Sequence, residues 1–258
     1  MVETFTALIL AHVLADFVLQ TDWLHRNKRN FGVMLLHGAV VLVTAQAALG
    51  QVAAPELVAL ALAHLAIDCL KTYTRSTGLP AFLVDQAAHI VTLAAVAIWA
   101  PGLWSGGAYA AHLAPPAQTV LLHAMALTAG LVITLRAGAF AVEHLMNGHV
   151  AATPPAPATD PPEPSPSDTG LPGGGKTIGH LERLLIFVLI LGGQFPAIGF
   201  LVAAKSILRF GTVSNNRQAT EYVIIGTLAS FGWAIAATIC TQALIGALPA
   251  LEIGAATP

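Results

Sequence analysis

Long apolar segments separated by short polar stretches are the main feature of this chain of 258 residues. Most of them approach the roughly 20 residues that an α-helix needs to cross a bilayer. The pattern predicts the all-α class and, within it, a polytopic helical membrane protein with about seven spans. The predicted spans are Thr4–Leu19, Val33–Leu49, Leu57–Leu70, Phe82–Ala100, Thr119–Leu135, Leu184–Ala204 and Tyr222–Leu248.

The composition supports a membrane protein. Charged residues make up 9% of the chain and apolar residues 56%, and the mean hydropathy is +0.74. A soluble domain carries about 25% charged residues. The formal net charge of -2, without a basic cluster, argues against nucleic acid as a partner. Membrane lipids are the partner that this composition predicts.

A Pro-, Ala- and Gly-rich stretch divides the chain into two membrane units. Residues 150–177 have too few large apolar side chains to form a core, and we expect them to be a disordered linker. Residues 1–149 then form a five-helix unit, and residues 178–258 form a smaller unit with two spans.

Lys and Arg lie in alternate loops, which predicts the orientation of the spans. The loop after the first span holds three such residues and the loop after the third span holds two, whereas 50–56 and 101–118 contain none. The positive-inside rule then places the N-terminus outside and the loop after the first span in the cytoplasm.

The sixth span is interrupted by Leu191-Gly192-Gly193-Gln194-Phe195-Pro196. A single crossing here would leave Lys205, Arg209 and Arg217 outside, against the positive-inside rule. A re-entrant hairpin broken at Gly-Gly and Pro would return these charges to the cytoplasm. A kinked span with external cations is the alternative, so the sequence predicts seven spans or six plus a hairpin.

Three His/Asp pairs lie inside the apolar segments, each with a spacing of four residues. His12–Asp16 and His64–Asp68 have His first, whereas Asp85–His89 has Asp first. A spacing of four places both side chains of a pair on one helix face. Since the helix with the third pair is predicted to run opposite to the other two, the three Asp side chains should share one depth and the three His side chains another.

Such pairs indicate a buried polar site. A carboxylate in hydrocarbon is costly, so these helices should turn their pairs inward. Imidazole nitrogens and carboxylate oxygens are usual ligands of zinc, iron and manganese. We therefore predict a site for one or two divalent transition-metal ions, with interhelical hydrogen bonds or a proton path as alternatives. The candidate metal ligands are His12, Asp16, His37, His64, Asp68, Asp85 and His89.

Four further polar residues are candidates for supporting roles. Gln20 lies four residues after the carboxylate of the first pair, and Lys71 lies three residues after that of the second. Each is expected to support that carboxylate or to lie at the membrane interface. Lys205 and Arg209 are four residues apart, and they form a candidate patch for an anionic group such as a lipid phosphate.

The stretch from Ala11 to Trp23 resembles the opening of an uncharacterised family of bacterial membrane proteins, domain of unknown function 3307. The same resemblance includes His37, 64–71 and 85–89, and it continues between 179 and 222. It implies a multi-pass protein of the bacterial cytoplasmic (inner) membrane and assigns no activity. The His-x3-Asp elements of the first two pairs also resemble, more distantly, bacterial membrane-bound metal-dependent hydrolases.

These features lead to three hypotheses about function. The first is an integral-membrane metalloprotein that hydrolyses a lipid-linked or amphipathic substrate at the cytoplasmic leaflet, with Lys205 or Arg209 holding its anionic group. The second is a proton- or cation-coupled transporter or channel that uses the same His and Asp residues. The third is a membrane scaffold protein. Retained metal favours the first, and pH-dependent flux without metal favours the second.

Overall fold

The structure of the chain, a computed structural model, contains helices and no strands in the part that it describes. This confirms the predicted all-α class. The described residues are 1–74, 77–151, 173–210 and 217–251, except for the side chains of 149–151, 208–210 and 217–219.

Eleven α-helices are present in this part of the chain, together with two π-helical turns and one 3-10 turn. The α-helices are α1 (Val2–Leu14), α2 (Asp22–Arg26), α3 (Phe31–Leu49), α4 (Pro55–Thr74), α5 (Gly78–Trp99), α6 (Ala108–His112), α7 (Pro115–Val132), α8 (Gly138–Ala151), α9 (Gly174–Leu191), α10 (Phe195–Phe210) and α11 (Arg217–Gly246). The π-helical turns are Ala15–Leu19 and Ile133–Ala137, and the 3-10 turn is Pro101–Leu103.

Six helical stretches are long and apolar enough to cross a membrane, so the chain has the architecture of a multi-pass membrane protein. Exposed apolar side chains such as Val43, Leu62 and Val91 cover their outer surfaces, as expected of helices that face lipid. The third span is a helix of 20 residues, Pro55–Thr74, and so extends beyond the predicted Leu57–Leu70 at both ends. The exact number of crossings and the orientation of the N-terminus stay predictions.

The predicted fifth span continues well beyond its expected end at Leu135. Residues Pro115–Gly148 form one helical stretch of 34 residues, which passes through the second π-helical turn. At about 1.5 Å per residue this stretch is longer than the roughly 30 Å hydrocarbon layer, so α8 extends past one membrane surface.

The predicted sixth span is two helices rather than one. Gly192 and Gly193 form the turn between α9 and α10, and Gly193 has a φ of +70°, which a residue with a Cβ rarely adopts. The Lys205 Nζ atom of α10 lies 2.6 Å from Glu182 Oε2 of α9. Because these residues lie at similar distances on either side of the turn, α9 and α10 form an antiparallel helical hairpin.

Helix α1 lies at the centre of the N-terminal helices. It packs against α3, α5 and α7, and its Ala7, Leu8 and Ala11 side chains are buried. The small residues allow the neighbouring helices to approach closely. A central α1 places His12 and the following π-helical turn among three other helices.

The C-terminal helices pack on the second π-helical turn. Carbonyl groups of a π-helical turn are available for side-chain donors, and two of them are used here. Trp233 Nε1 of α11 donates to the Ile133 carbonyl at 3.0 Å, and Arg183 Nη2 of α9 donates to the Leu135 carbonyl at 3.2 Å. A methyl group on Gly130 would overlap the side chain of Thr241, so α7 and α11 are in close contact.

The predicted linker at 150–177 lies for the most part outside the described residues. At its two ends the chain is helical, because α8 continues to Ala151 and α9 begins at Gly174. Residues 150–151 and 174–177 of the predicted linker are therefore helical. The division into two units stays a prediction.

Candidate metal centre

Four helices bring the predicted ligands to one place in the interior. The first pair comes from α1 and its π-helical turn, and the others come from α3, α4 and α5. The His and Asp side chains are buried, with side-chain exposure of 8% or less. The structure thus brings together His12, Asp16, His37, His64, Asp68, Asp85 and His89.

Asp16 lies in the first π-helical turn and contacts histidines of other helices. Its Oδ2 atom is 3.9 Å from His12 Nδ1, too far for a hydrogen bond. The pairs in α4 and α5 have similar separations of 3.7 and 3.8 Å. Asp16 Oδ1 lies 3.4 Å from His37 Nε2 and 3.3 Å from His64 Nε2. Isolated π-helical turns are frequent at functional sites.

Four donor atoms from three helical segments form a compact group, which we call the quartet: His37 Nε2, His64 Nε2, Asp16 Oδ1 and Asp68 Oδ2. The two imidazole nitrogens are 3.2 Å apart. Asp68 Oδ2 lies 3.3 Å from His37 Nε2 and 3.7 Å from His64 Nε2. Metal–ligand bonds of 2.0–2.2 Å in a tetrahedral site separate neighbouring ligand atoms by about 3.3–3.6 Å. The two imidazole nitrogens and their distances to each carboxylate therefore suit one divalent ion.

The remaining three predicted ligands lie next to the quartet, and we call them the trio: His12, Asp85 and His89. The His89 ring is centred 4.1 Å from the His64 ring and 5.1 Å from the His12 ring. One ligand atom each of Asp68, Asp85 and His89 lies within 4.8 Å of the other two. The trio is thus close enough to share a carboxylate with the quartet.

Several of these buried atoms have no hydrogen-bond partner among the described residues. They include His12 Nδ1, His89 Nε2, Asp16 Oδ1 and Asp85 Oδ1. Buried polar atoms are nearly always hydrogen-bonded, and an unpaired one costs about 1–3 kcal/mol. A metal ion at the quartet would satisfy Asp16 Oδ1, and a second ion beside it would find unpaired donors on all three residues of the trio, so the residues present fit such ions.

His89 is also oriented as a metal ligand would be. Its Nδ1 atom lies 2.9 Å from the backbone carbonyl oxygen of Asp85, so Nδ1 carries the proton and donates it. The Nε2 lone pair is then free to point to the cluster. Ligand histidines commonly have such a hydrogen bond on their second nitrogen, because it sets the tautomer and the ring direction.

Two lysines neutralise two of the buried carboxylates. Lys28 Nζ donates to Asp68 Oδ2 at 3.0 Å, and Lys71 Nζ donates to Asp85 Oδ2 at 2.7 Å. Lys71 was expected to support Asp68, three residues before it, but its partner lies on the neighbouring helix α5. An ammonium group on Asp68 Oδ2 occupies the side of the carboxylate where a cation would bind, so lysine and metal compete for the same charge.

Gln20 was expected to support Asp16, but its amide contacts His37 instead. The π-helical turn ends at Leu19, and Gln20 has an extended backbone with φ -73° and ψ 93°. This conformation directs its Nε2 atom to the His37 ring, at 3.4 Å from Nε2. Gln20 therefore lies beside an imidazole of the quartet.

Two residues of the centre were missed in the sequence. Lys28 was placed only as a loop charge that sets orientation, because 40 positions separate it from its partner Asp68. Gln86 donates to Asp85 Oδ2 at 3.1 Å, and its Oε1 lies 3.4 Å from His12 Nε2. Its position inside the Asp85–His89 pair was the available signal.

A cavity of about 700 Å³, which we call the site cavity, lies over the carboxylates. Asp16, Asp68 and Asp85 line it, whereas His12, His64 and His89 line a much smaller apolar space behind them. Basic residues from the loop after α1 and from α4 also line the cavity. These basic residues are His25, Arg26, Lys28, Arg29 and Lys71.

His25 lines the site cavity and has a lowered pKa. This residue lies in α2, outside the spans, and burial followed by the positive charges of Lys28 and Lys71 lowers the pKa of its imidazole. His25 is therefore neutral at pH 7. Lys28 and Lys71 pair with carboxylates of the cavity. Arg26 and Arg29 add positive charge that favours an anionic group.

The predicted anion patch lies elsewhere. Lys205 forms its 2.6 Å ion pair with Glu182 and does not line the site cavity. The side chain of Arg209 lies outside the described residues. Lys205 is thus not part of the site cavity and is paired with an acidic residue of α9, and an anion-binding role for Lys205 and Arg209 stays a prediction.

Comparisons with known proteins agree with part of the resemblance in the sequence. No curated protein and no solved structure matches the chain. None of the comparisons supports the resemblance to metal-dependent hydrolases. One family model matches residues 4–112, a region that contains the quartet and the trio. The part of the chain that forms the candidate metal centre is thus similar to the family described as "Protein of unknown function (DUF3307)".

Proposed function

We propose that this chain is an integral-membrane metal-binding protein. The quartet holds one divalent transition-metal ion, and the trio provides donors for a second. The observation that supports this most is the separation of the buried quartet atoms, which suits a metal ion, with Asp16 Oδ1 among them unpaired. Imidazole and carboxylate together suit zinc, manganese or iron. The two positive charges of a divalent ion would also compensate the buried carboxylates inside the membrane.

The site cavity supports a proposal about the molecule that binds next to the metal. Its walls combine cationic side chains with carboxylates over the histidines, and we propose that it admits the anionic part of a lipid-linked or amphipathic molecule at the cytoplasmic leaflet of a bacterial inner membrane. A divalent ion supplies Lewis acidity at such a site, which is the chemistry of metal-dependent hydrolysis. Arg26 and Arg29 attract and orient the anion, and Gln86 holds the ring of His12.

A proton or cation path is the second candidate function. The two lysine–carboxylate pairs support it, because they neutralise Asp68 and Asp85 without any metal. The imidazole rings then lie in contact, from His37 through His64 and His89 to His12. Such a row of titratable groups next to a polar cavity is typical of proton relays in membranes.

Elemental analysis of the full chain tests the first proposal. Protein purified in detergent without chelator should contain about one or two divalent transition-metal ions per chain. If the protein contains none and binds none on titration with zinc, manganese and iron(II), the metal proposal is lost. Proton or cation flux in liposomes, measured against pH, then tests the second candidate function.

The proposed orientation has its own test. In a chain whose Cys69 and Cys240 are replaced by serine, Ser105→Cys should react with a membrane-impermeant maleimide added outside intact cells, and Asn27→Cys should not. Both positions are exposed in the structure, so membrane sidedness decides the result. Labelling in the reverse pattern would contradict the cytoplasmic placement of the loop after α1, and with it the placement of the site cavity.

A further inference from the structure

A second cavity lies between α8, α9, α10 and α11, and we call it the α8–α11 cavity. Its volume is about 970 Å³. Asn147 of α8 lines both this cavity and the site cavity, so α8 separates the two. None of the seven candidate metal ligands lines the α8–α11 cavity. Its chemistry is therefore independent of the metal centre.

A buried arginine lines this cavity without an acidic partner. Arg183 is 3% exposed. Its Nη1 donates to Ser230 Oγ at 3.0 Å and its Nη2 donates to the Leu135 carbonyl at 3.2 Å, while its Nε has no partner. Among the described residues no carboxylate lies within 4.0 Å of the guanidinium. A buried charge surrounded only by neutral groups is costly, and an anion would offset that cost.

The other charges of the cavity leave the positive charge of Arg183 uncompensated. Glu182 precedes Arg183 in the chain, but its carboxylate pairs with Lys205 at 2.6 Å. Lys205 Nζ also lies 5.2 Å from the centre of the Phe231 ring. Lys176 and Glu143 are exposed side chains that line the same cavity. The lining therefore holds one more cation than carboxylates, and the buried one is Arg183.

The remaining lining is mostly apolar, which argues for an amphiphile over a soluble anion. Val142, Met146, Leu201 and Val223 contribute to the walls. Ile178, another lining residue, is 53% exposed on the outer surface. An acyl chain would contact these walls while its headgroup approached the guanidinium.

We propose that the α8–α11 cavity binds an anionic phospholipid, with Arg183 as the anchor of its phosphate. A guanidinium binds phosphate oxygens through charge-assisted hydrogen bonds, and the unpaired Nε is a ready donor. Ser230 holds the guanidinium in place from α11. The lipid joins the α9–α10 hairpin to α8 and α11, next to the wall of the site cavity.

The test measures lipid retention by the full chain. Protein in detergent is incubated with equal amounts of phosphatidylglycerol and phosphatidylcholine, passed over a size-exclusion column, and analysed for bound lipid by mass spectrometry. Wild-type protein should retain phosphatidylglycerol in preference to phosphatidylcholine. Arg183→Gln should lower the retained phosphatidylglycerol by about 10-fold, as expected for loss of a charged hydrogen-bond donor.

Two further variants separate binding from folding. Ser230→Ala removes a hydrogen bond of Arg183 but keeps its charge, so it should still retain phosphatidylglycerol. Val223→Trp fills the cavity and leaves Arg183 unchanged, so it should lose the lipid while eluting as the wild type does. If Arg183→Gln does not fold, the phosphatidylglycerol retained by Val223→Trp tests the proposal.

Three results would overturn the proposal. The first is wild-type retention of phosphatidylglycerol by Arg183→Gln, and the second is wild-type retention by Val223→Trp. The third is an increase in Tm with millimolar inorganic phosphate as large as that with phosphatidylglycerol, which would assign the site to a soluble anion.

Discussion

Replacing Asp16 by asparagine should lower the affinity of the purified protein for zinc by at least about 100-fold, since even residues that only orient metal ligands contribute 10- to 100-fold. Asp16 Oδ1 is buried without a hydrogen-bond partner and lies within 3.4 Å of both quartet imidazoles. Asparagine keeps the shape of the side chain but removes its negative charge. Competition titration against a chromophoric chelator measures the change.

Two controls match this substitution. Asp22→Asn makes the same chemical change in α2, where the Asp22 side chain is 93% exposed. His112→Gln removes an exposed imidazole of α6, a helix that carries none of the candidate metal ligands. Both variants should bind zinc as the wild type does. Equal zinc affinity in Asp16→Asn and Asp22→Asn would contradict the assignment of the quartet.

Replacing Lys28 by methionine should have opposite effects on the metal-free and the metal-bound protein. Without metal, Asp68 loses its ammonium partner, and breaking a buried ion pair destabilises a protein by about 3–5 kcal/mol. Asp68 is 2% exposed, so little of its lost interaction is recovered from water in the folded protein. With metal, the competing ammonium is gone, so zinc affinity should rise and the bound ion should restore stability.

Thermal unfolding in detergent measures both effects. We expect the Tm of Lys28→Met to be below that of the wild type in chelator and to increase more than that of the wild type when zinc is added. Arg136→Met is the matched control, because Arg136 is an exposed cation and its loss should change neither value. A decrease in Tm that zinc does not reverse would favour the proton or cation path, in which Lys28 is the permanent partner of Asp68.

The competition between lysine and metal links the two candidate functions. The lysine pairs describe a state in which the carboxylates are neutralised by the protein itself. Asp16 Oδ1 and His89 Nε2 have no hydrogen-bond partner, so both atoms are available to bind a further cation. The Lys28 experiment distinguishes them because the two functions differ in which cation Asp68 keeps.

Part of the candidate centre was predictable from local sequence alone. Four-residue spacing puts the members of the pairs in α4 and α5 on one helix face, and the reversed order of Asp85 and His89 indicates the opposite direction of the helix. Both signals depend only on helix geometry and on the strong cost of exposing a carboxylate to lipid. The turn at Gly192 and Gly193 was likewise visible, because the two glycines and Pro196 disfavour a continuous helix.

What the sequence by itself determined is the class of the protein and the helices that carry the polar residues, since apolar length and helical periodicity are local properties. Tertiary structure decided which charged side chains pair with each other. Lys28 with Asp68 and Lys71 with Asp85 join residues of different segments, and Glu182 with Lys205 depends on how α9 and α10 fold back. Partner choice depends on the rotation and depth of packed helices. Asp16 Oδ1 therefore lies nearer to His37 and His64 of other helices than Asp16 Oδ2 does to His12 of its own helix, a relation between helices that the spacing within one helix does not contain.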